Sequence, residues 1–280
     1  MGRVVLMTGG GRGLGREMAL SLARDGHTLL LSSRSEDTLI DTAKECRDLG
    51  AAEVDYVLAD LEEPGEAERL ADEAIKRFGQ VDVLVNNAGI AINEVSKDYL
   101  TNPYRFWRSD RSIIERYYAI NSVAPSILAI KLVDQMKARG WGRIVANSTS
   151  LDTMLRSSLY GGSKAAMEAE AAVMAGDLAG TGVTSNVLVP GGGCGSRMTD
   201  DMGIPREAVL PPEIMGPPMS FLASDESNDF NGRRIQARLW DASLPPLEAS
   251  RIAGDVIAWT GAGIQGQQPE VAKLSTPGKY

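Results

Sequence analysis

Two residues near the middle of the chain, Tyr160 and Lys164, have the types and the spacing that a proton transfer requires. Residues four apart in a helix share one face, so a helix here would make the phenol and the ammonium neighbours. A free tyrosine has a pKa of about 10, and a nearby fixed cation lowers it. Because Tyr and Lys fall four apart on many exposed helices, the pair indicates catalysis only if other residues build a site around it.

The N-terminal residues predict a strand, a glycine-rich turn and a helix in succession. Residues 3–8 (RVVLMT) are an apolar run of strand length, and residues 9–15 (GGGRGLG) precede a helical apolar pattern. Glycines permit a tight turn and let backbone N–H groups approach a pyrophosphate at the positive end of the helix. The absence of a side chain at Gly15 permits close packing of helix and strand. The predicted phosphate-binding residues are Gly9, Gly11, Arg12, Gly13, Leu14 and Gly15.

The remaining apolar runs alternate with helical patterns. Further strands are predicted at residues 27–32, 53–58, 81–86, 142–148 and 183–189. Such alternation predicts a parallel sheet with helices on both faces and a ligand beyond the carboxyl ends of the strands.

Taken together, Thr8-Gly9-x-x-x-Gly13-x-Gly15 and Tyr160-x-x-x-Lys164 resemble the short-chain dehydrogenase/reductase family. Further motifs follow in the order of that family: Asp60-Leu61, Asn86-Asn87-Ala88-Gly89, Asn121 and Pro190-Gly191. The resemblance covers roughly residues 1–240. It implies a single α/β domain, a Rossmann-type doubly wound parallel sheet, that transfers a hydride between a nicotinamide dinucleotide and a carbonyl or secondary alcohol.

The resemblance also implies roles for individual residues. Tyr160 would be the acid or base, Lys164 would lower its pKa and bind the nicotinamide ribose, and Asn121 would hold a helix kink and a water. Other cofactor contacts would come from Asp60 with Leu61 near the adenine, from Asn87, Ala88 and Gly89 near the ribose, and from Pro190, Gly191 and Ser196 near the nicotinamide.

A serine hydroxyl completes the site in this family, and two serines compete for the role. Ser148 lies twelve residues before the tyrosine, which is the usual separation. The local pattern at residues 147–150 (NSTS) instead resembles the Asn-x-Ser-Ser of the family and selects Ser150, if the following loop is about two residues shorter. We expect Ser150, with Ser148 second and Thr149 third.

Charge at the end of the second predicted strand indicates which dinucleotide is preferred. An acidic residue there would accept hydrogen bonds from a ribose 2′-hydroxyl, whereas a phosphate needs cations. The strand ends with Ser33 and Arg34, and Arg12 lies in the glycine turn. The two arginines favour NADP over NAD, although solvent-exposed arginines are common.

Composition narrows the classes of partner. The chain has 280 residues, 43% of them hydrophobic, and 29 basic against 37 acidic residues give a net charge of −8. This charge opposes binding to nucleic acid or anionic membranes. The chain has a single histidine, and its cysteines, Cys46 and Cys194, lack metal-ligand spacing. We therefore expect no metal, a reduced cytoplasmic setting and, since no apolar run or leader of suitable length is visible, no membrane.

Specificity is expected in the less regular segments at residues 91–112 and 191–218. Four glycines among residues 191–195, at the start of the second segment, suggest a mobile lid. Aromatic and sulphur-containing side chains could form an apolar substrate wall or pack within their own segments: Tyr99, Tyr104, Phe106, Trp107 and Met154. A small apolar ketone or alcohol is the expected substrate.

Two expectations concern the molecule as a whole. Residues 1–240 are predicted to form the oxidoreductase domain and residues 241–280 a C-terminal extension. Apolar and small residues on the helices predicted at residues 111–139 and 163–179, such as Ala165, Ala169 and Val173, permit close packing between subunits. The family resemblance implies a homodimer or homotetramer formed through these helices. The shortened serine loop and the atypical segment at residues 191–196 leave one alternative from another class, a catalytically idle dinucleotide-binding sensor or scaffold.

Overall fold

Eight strands form one sheet in a computed structural model that describes residues 2–96, 98 and 102–259. Their order across the sheet is β3-β2-β1-β4-β5-β6-β7-β8, and every neighbouring pair is parallel except β7 with β8. The strands are β1 Val4–Thr8, β2 Thr28–Ser33, β3 Glu53–Leu58, β4 Val83–Asn86, β5 Gly142–Asn147, β6 Val183–Val189, β7 Arg233–Gln236 and β8 Gly254–Val256.

Helices connect the strands and cover both faces of the sheet. They are α1 Gly13–Arg24, α2 Glu36–Asp48, α3 Glu66–Phe78, α4 Arg111–Tyr118, α5 Ala124–Arg139, α6 Leu151–Arg156, α7 Tyr160–Asp177, α8 Arg197–Asp201, α9 Gly216–Leu222 and α10 Pro246–Ala253. A π-helical segment, Ala119–Val123, joins α4 to α5 without a break.

The alternation of side chains along β2 shows how the two core layers arise. Leu29 and Leu31 pack into a layer with α1, α2 and α9, whereas Leu30 packs into the opposite layer with α3 and α5. Successive side chains of a strand point to opposite faces, so a strand buried on both sides must be apolar throughout. All three leucines are fully buried.

The predicted fold class is confirmed, and the six predicted strands form with boundaries shifted by at most two residues. The two strands that were not predicted, β7 and β8, are only four and three residues long. Neither has an apolar run, since β7 reads Arg-Arg-Ile-Gln and β8 reads Gly-Asp-Val. Their place in the sheet is set by pairing with β6 and with each other.

The sheet continues past residue 240, where the sequence suggested a boundary. Helix α10 buries Ala249 and Ala253 against the core, and β8 pairs with β7. The segment up to residue 259 thus packs on the same sheet, while residues 260–280 lie outside the described residues. Within the described ranges, none of the helices has the length and apolar character needed to cross a bilayer.

Candidate active site

A cleft of about 500 Å³ lies at the carboxyl ends of the parallel strands. Most residues selected from the sequence line it, namely Gly9, Gly11, Arg12, Gly13, Leu14, Ser33, Arg34, Asp60, Leu61, Asn87, Ala88, Gly89, Ser148, Tyr160, Lys164, Pro190 and Ser196. Four other predicted residues are not part of the lining that the described residues form, namely Gly15, Asn121, Ser150 and Gly191.

The glycine turn has the geometry that a phosphate cradle requires. Gly9 and Gly13 have positive φ values of 67° and 55°, which side chains rarely tolerate. A Cβ atom on Gly15 would collide with the carbonyl oxygen of Gly9 and the side chain of Asn87. A Cβ atom on Gly13 would meet only Ser196, at 3.8 Å, so the backbone there remains open to the cleft. These residues fit a dinucleotide pyrophosphate at the start of α1.

Asn87 ties together the ends of β1 and β4. Its Nδ2 donates to the carbonyl oxygens of Thr8 and Gly9 at 2.9 and 3.0 Å, and its Oδ1 accepts from Asn147 Nδ2 at 2.8 Å. The Thr8 hydroxyl in turn accepts from the backbone N–H groups of Asn87 and Ala88. Asn87 thereby fixes the shape of the cleft floor, in addition to any contact with a ribose.

Tyr160 and Lys164 lie in the first turns of α7, and both are buried in the wall of the cleft. The Nζ atom of Lys164 donates to the carbonyl oxygen of Asn147 at 2.8 Å. Burial lowers the pKa of Lys164 to about 8. Burial also raises the pKa of Tyr160, and a hydrogen bond with the Thr149 side chain partly offsets this rise.

The expected lowering of the Tyr160 pKa by Lys164 is therefore wrong for this structure. The physical reason is the low polarity around both groups, which disfavours a phenolate as well as an ammonium. A tyrosine with a raised pKa stays protonated at neutral pH, which suits a proton donor.

Asn121 lies within the π-helical segment and is fully buried. Its Nδ2 donates to the Ile90 carbonyl at 3.1 Å and to Ser163 Oγ at 2.9 Å, and its Oδ1 accepts from the Ile90 backbone N–H at 3.0 Å. Pro125 follows four residues later and has no N–H to donate to the Asn121 carbonyl, which accounts for the irregular helix. The predicted irregularity is present at Asn121, and the side chain connects α7 to the loop after β4.

The candidate hydroxyls at residues 148–150 have different surroundings. Ser150 caps α6, because its Oγ accepts from the Thr153 backbone N–H at 3.2 Å and lies 2.8 Å from Thr153 Oγ1. Ser148 lines the cleft, and its buried Oγ has no hydrogen-bond partner among the described residues. Thr149 also lines the cleft and contacts the phenol of Tyr160. The structure thus places Ser148 and Thr149 at the cleft and the expected Ser150 in a capping position.

Arginines gather at the mouth of the cleft beyond β2. Partial burial lowers the pKa of Arg12, and the neighbouring charges of Arg197 and Arg34 lower it further. Arg34 Nη1 lies 3.9 Å from Asp60 Oδ2. An anion bound here would relieve the repulsion among the three guanidinium groups.

The segment after β6 folds over the glycine turn. Ser196 precedes α8, and its backbone N–H donates to Thr199 Oγ1 at 3.0 Å. Asp201 at the other end of α8 accepts from Asn93 Nδ2 at 2.7 Å, so the segment contacts the loop after β4. Cys194 lines the cleft as a thiol, because burial raises its pKa to about 11.

The side chains proposed as a substrate wall do not line the cleft where the structure describes them. Phe106 and Trp107 stack edge to face with ring centroids 5.2 Å apart, and they are 72% and 68% exposed. Met154 is buried against Gly161. The hydroxyl of Tyr104 is buried, and this residue does not line the cleft. Tyr99 lies outside the described residues.

Sequence reasoning missed several residues of the lining. The group comprises Ser32, Ser35, Thr38, Ala59, Ile90, Ala91, Asn93, Glu94, Ile120, Asn147, Gly192, Arg197 and Met198. Asn147 ends β5 as Asn86 ends β4, so position at a strand end was a usable signal for it. Arg197 follows the predicted Ser196, but only the fold brings it to Arg12.

Comparisons with known proteins agree with this geometry. The sequence model of the family described as short chain dehydrogenase matches residues 3–204. The chain is 32% identical to NADPH-dependent aldehyde reductase 2, chloroplastic, of Arabidopsis thaliana, over 84% of this chain and 92% of that protein. It is 30% identical to an uncharacterised oxidoreductase of Methylorubrum extorquens, over 84% and 96%. A solved structure titled short chain dehydrogenase/reductase family protein superposes with a TM-score of 0.70 at 26% identity, covering 84% of this chain and 95% of that one.

Proposed function

Because the chain belongs to the short-chain dehydrogenase/reductase family, we propose that it is an NADP-preferring oxidoreductase acting on a small, apolar carbonyl compound or secondary alcohol. One observation carries the proposal. Ser148, Tyr160 and Lys164 line the same cleft as the glycine turn, so a bound dinucleotide and the proton donor would share one space.

Each residue of the site has a separate role in the proposed carbonyl reduction. The glycine turn would hold a nicotinamide dinucleotide, which would supply the hydride that the carbonyl carbon accepts. The Tyr160 hydroxyl donates its proton to the carbonyl oxygen, and its raised pKa keeps that proton in place until then. Ser148 Oγ, which has no other partner among the described residues, donates a hydrogen bond to the same oxygen. Lys164 holds the end of β5 through Asn147 and contributes to the ribose side of the cleft.

The mechanism is tested by Tyr160→Phe. We expect carbonyl reduction, followed by NADPH absorbance over a panel of aldehydes and ketones, to fall by at least about 100-fold. Dinucleotide binding, followed by NADPH fluorescence, should be retained. Tyr56→Phe is the matched control, since Tyr56 lies on β3 and its hydroxyl contacts Glu36 at 3.4 Å. Unchanged turnover in Tyr160→Phe would eliminate this function.

The preference for NADP is proposed from Arg12 and Arg34. Both line the end of the cleft beyond β2, where the 2′-position of the adenosine ribose belongs in this fold. The similarity to a relative named as NADPH-dependent supports the proposal. Asp60, 3.9 Å from Arg34, opposes it in part by competing for the guanidinium.

Paired substitution tests the cofactor preference. A charge-assisted contact contributes about 1.5–3 kcal/mol, so Arg12→Ser with Arg34→Ser should reduce the kcat/KM ratio of NADPH to NADH by at least about tenfold. Arg24→Ser removes an exposed arginine at the far end of α1 and should leave the ratio unchanged. An unchanged ratio in the double variant would contradict the assignment.

The idle sensor or scaffold receives less support than the enzyme. That alternative followed from a shortened serine loop and from the atypical segment at residues 191–196. The first ground is weakened because Ser148, at the usual separation from Tyr160, lines the cleft. We also propose that the enzyme acts in a reduced, cytoplasmic setting, as the free and buried thiols of Cys46 and Cys194 suggest.

A further inference from the structure

Behind the cleft, a buried ion pair connects three separate elements. Arg234 on β7 donates from Nε to Glu168 Oε1 on α7 at 2.9 Å, and from Nη2 to the carbonyl oxygen of Thr149 at 2.5 Å. The side chains of Arg234 and Glu168 are only 14% and 2% exposed. One guanidinium therefore holds both α7 and the turn that carries the candidate hydroxyls.

The fold explains why Arg234 reaches this place. It pairs in parallel register with Val187 on β6, and neighbouring residues of paired strands point to the same face of a sheet. Val187 packs against Met167 and Ala171 of α7. Arg234 consequently enters the layer between the sheet and α7, which contains these apolar side chains. Glu168 lies there one helical turn beyond Lys164.

Stability alone is a poor explanation for this pair. Buried ion pairs are often no more stabilising than apolar residues of similar volume, because both charges lose their hydration. Glu168 Oε2 is also buried with no hydrogen-bond partner among the described residues, which adds to the cost. A planar guanidinium does, however, fix two acceptors in a defined geometry.

The link to the candidate chemistry passes through Thr149. Its carbonyl oxygen accepts from Arg234, and its side chain contacts the phenol of Tyr160. We propose that Arg234, oriented by Glu168, is a positioning residue that holds the Ser148–Thr149 turn against the Tyr160 hydroxyl. This inference rests on the proposed function, in which Tyr160 is the proton donor.

The proposal is tested by substitutions that change either the length and shape of a side chain or its charge, but not both. Arg234→Lys keeps the charge, but a single ammonium cannot hold both acceptors in the arginine geometry. Glu168→Asp keeps the charge and withdraws the carboxylate by one methylene, whereas Glu168→Gln keeps the reach and removes the charge. The matched controls are Arg233→Lys, on the neighbouring residue of β7, and Glu170→Gln, on the exposed side of α7.

We expect Arg234→Lys and Glu168→Asp to lower kcat by about ten- to 100-fold, because small misplacements at a reacting centre have effects of this size. Glu168→Gln should keep kcat within about threefold of the parent. If only the charge of Glu168 mattered, kcat would fall in Glu168→Gln and would be retained in Glu168→Asp. NADPH binding and both controls should be unchanged.

The pH profile and a double-variant cycle distinguish a positioning role from an effect on folding stability alone. Loss of the Thr149 contact leaves the effect of burial on Tyr160 unopposed, so the acid limb of kcat for alcohol oxidation should move to higher pH. In a Thr149→Val background, Arg234→Lys should shift the acid limb little further, because the Thr149 hydroxyl through which Arg234 would act on Tyr160 is already absent.

Two sets of results would overturn separate claims. If Tyr160→Phe is inactive while Arg234→Lys and Glu168→Asp retain parental kcat and pH limb, the positioning role is wrong and the proposed function stands. The positioning role is equally wrong if these variants only lower the melting temperature. If Tyr160→Phe remains active, the proposed function fails first.

Discussion

Ser148 and Ser150 show how much two residues of one type can differ when they are only two positions apart. Ser150 has both of its hydrogen-bonding roles filled within the first turn of α6. Ser148 is enclosed beside the cleft and has an unused hydroxyl among the described residues. A helix cap is occupied in the resting protein, whereas a substrate contact must be available for the substrate.

The two serines should therefore respond differently to alanine. Ser148→Ala should lower kcat by about 100-fold with a small change in unfolding free energy, because it removes a donor to the developing oxyanion. Ser150→Ala should keep kcat within about threefold and lower the unfolding free energy by about 1 kcal/mol, as loss of a helix cap does. Kinetics and urea unfolding of both variants measure this, and equal kinetic losses would contradict it.

Lys164 is a second residue whose surroundings favour function over stability. It is buried, it donates to the Asn147 carbonyl, and among the described residues it has no acidic partner. Burial lowers its pKa to about 8. Between that value and the ordinary 10.5, the unfolded chain binds more protons than the folded one, so stability rises with pH across this window.

Lys164→Met should separate the two properties. In the dinucleotide-free protein at pH 7, we expect the unfolding free energy to increase by about 1–3 kcal/mol, because a buried charge is replaced by an apolar side chain. The rise in stability from pH 8 upward should disappear, while carbonyl reduction falls by at least about 100-fold. Urea unfolding at a series of pH values measures the first effect, and a destabilised variant would contradict it.

At the scale of elements, α7 begins with an unusual backbone. Leu159 has φ of 61° and ψ of −57°, and the Tyr160 N–H donates to the Ser158 carbonyl at 2.7 Å. This is a γ-turn, a strained conformation for a residue with a Cβ atom. The leucine side chain packs against the cluster that contains Ile90, Tyr117 and Tyr160. Packing thus holds the turn that starts the helix at its proposed proton donor.

Because of the backbone strain at Leu159, we expect glycine and valine variants at this position to have the opposite order of stability from the same variants in an ordinary helix. Leu159→Gly should be more stable than Leu159→Val by at least about 1 kcal/mol, because a β-branched residue tolerates positive φ least. At Leu155, an exposed position in α6, glycine should be the less stable of the same two substitutions. Thermal unfolding of the four variants gives the comparison. The same order at both positions would argue against the turn.

At the scale of the whole molecule, exposed apolar side chains form a stripe on α7, on α5 and at the end of the π-helical segment that precedes α5. Val123 and Ile130 are seven residues apart on one helix face and are 50% and 69% exposed, and Val173 on α7 is 55% exposed. Partly exposed alanines adjoin Val173 on α7, so a second copy could approach closely. The homo-oligomer predicted from the sequence would use this stripe.

Light scattering with charged variants tests the assembly. We expect a dimer or tetramer at micromolar concentration and a monomer when Ile130→Glu and Val173→Glu are combined, because two charges would be buried without partners. Ile252→Glu introduces the same charge at a 57% exposed site on α10 and should leave the assembly intact. A monomeric parent protein would reject the prediction.

The parts of the site that sequence predicted best are those fixed by local backbone requirements. The glycine turn, Asn87 and the Tyr160–Lys164 pair all lie at the cleft, because each follows directly from a strand end or a helical spacing. The choice of Ser150 relied on a motif at the end of β5, and the motif does not show which hydroxyl will be used for capping. The expected effect of Lys164 on Tyr160 failed because burial is a property of the folded chain.

The sequence by itself determined the strand and helix order, the parallel sheet and the glycine turn, since apolar periodicity and the backbone freedom of glycine are local properties. Only the tertiary structure decided that Ser148 faces the cleft, that burial raises the pKa of Tyr160, and that Arg234 joins Glu168 to Thr149. Each of these depends on which distant segments exclude water from a group or provide its hydrogen-bond partner. The spacing of residues in the sequence does not show which distant segments will surround a group, because strand pairing and packing decide that.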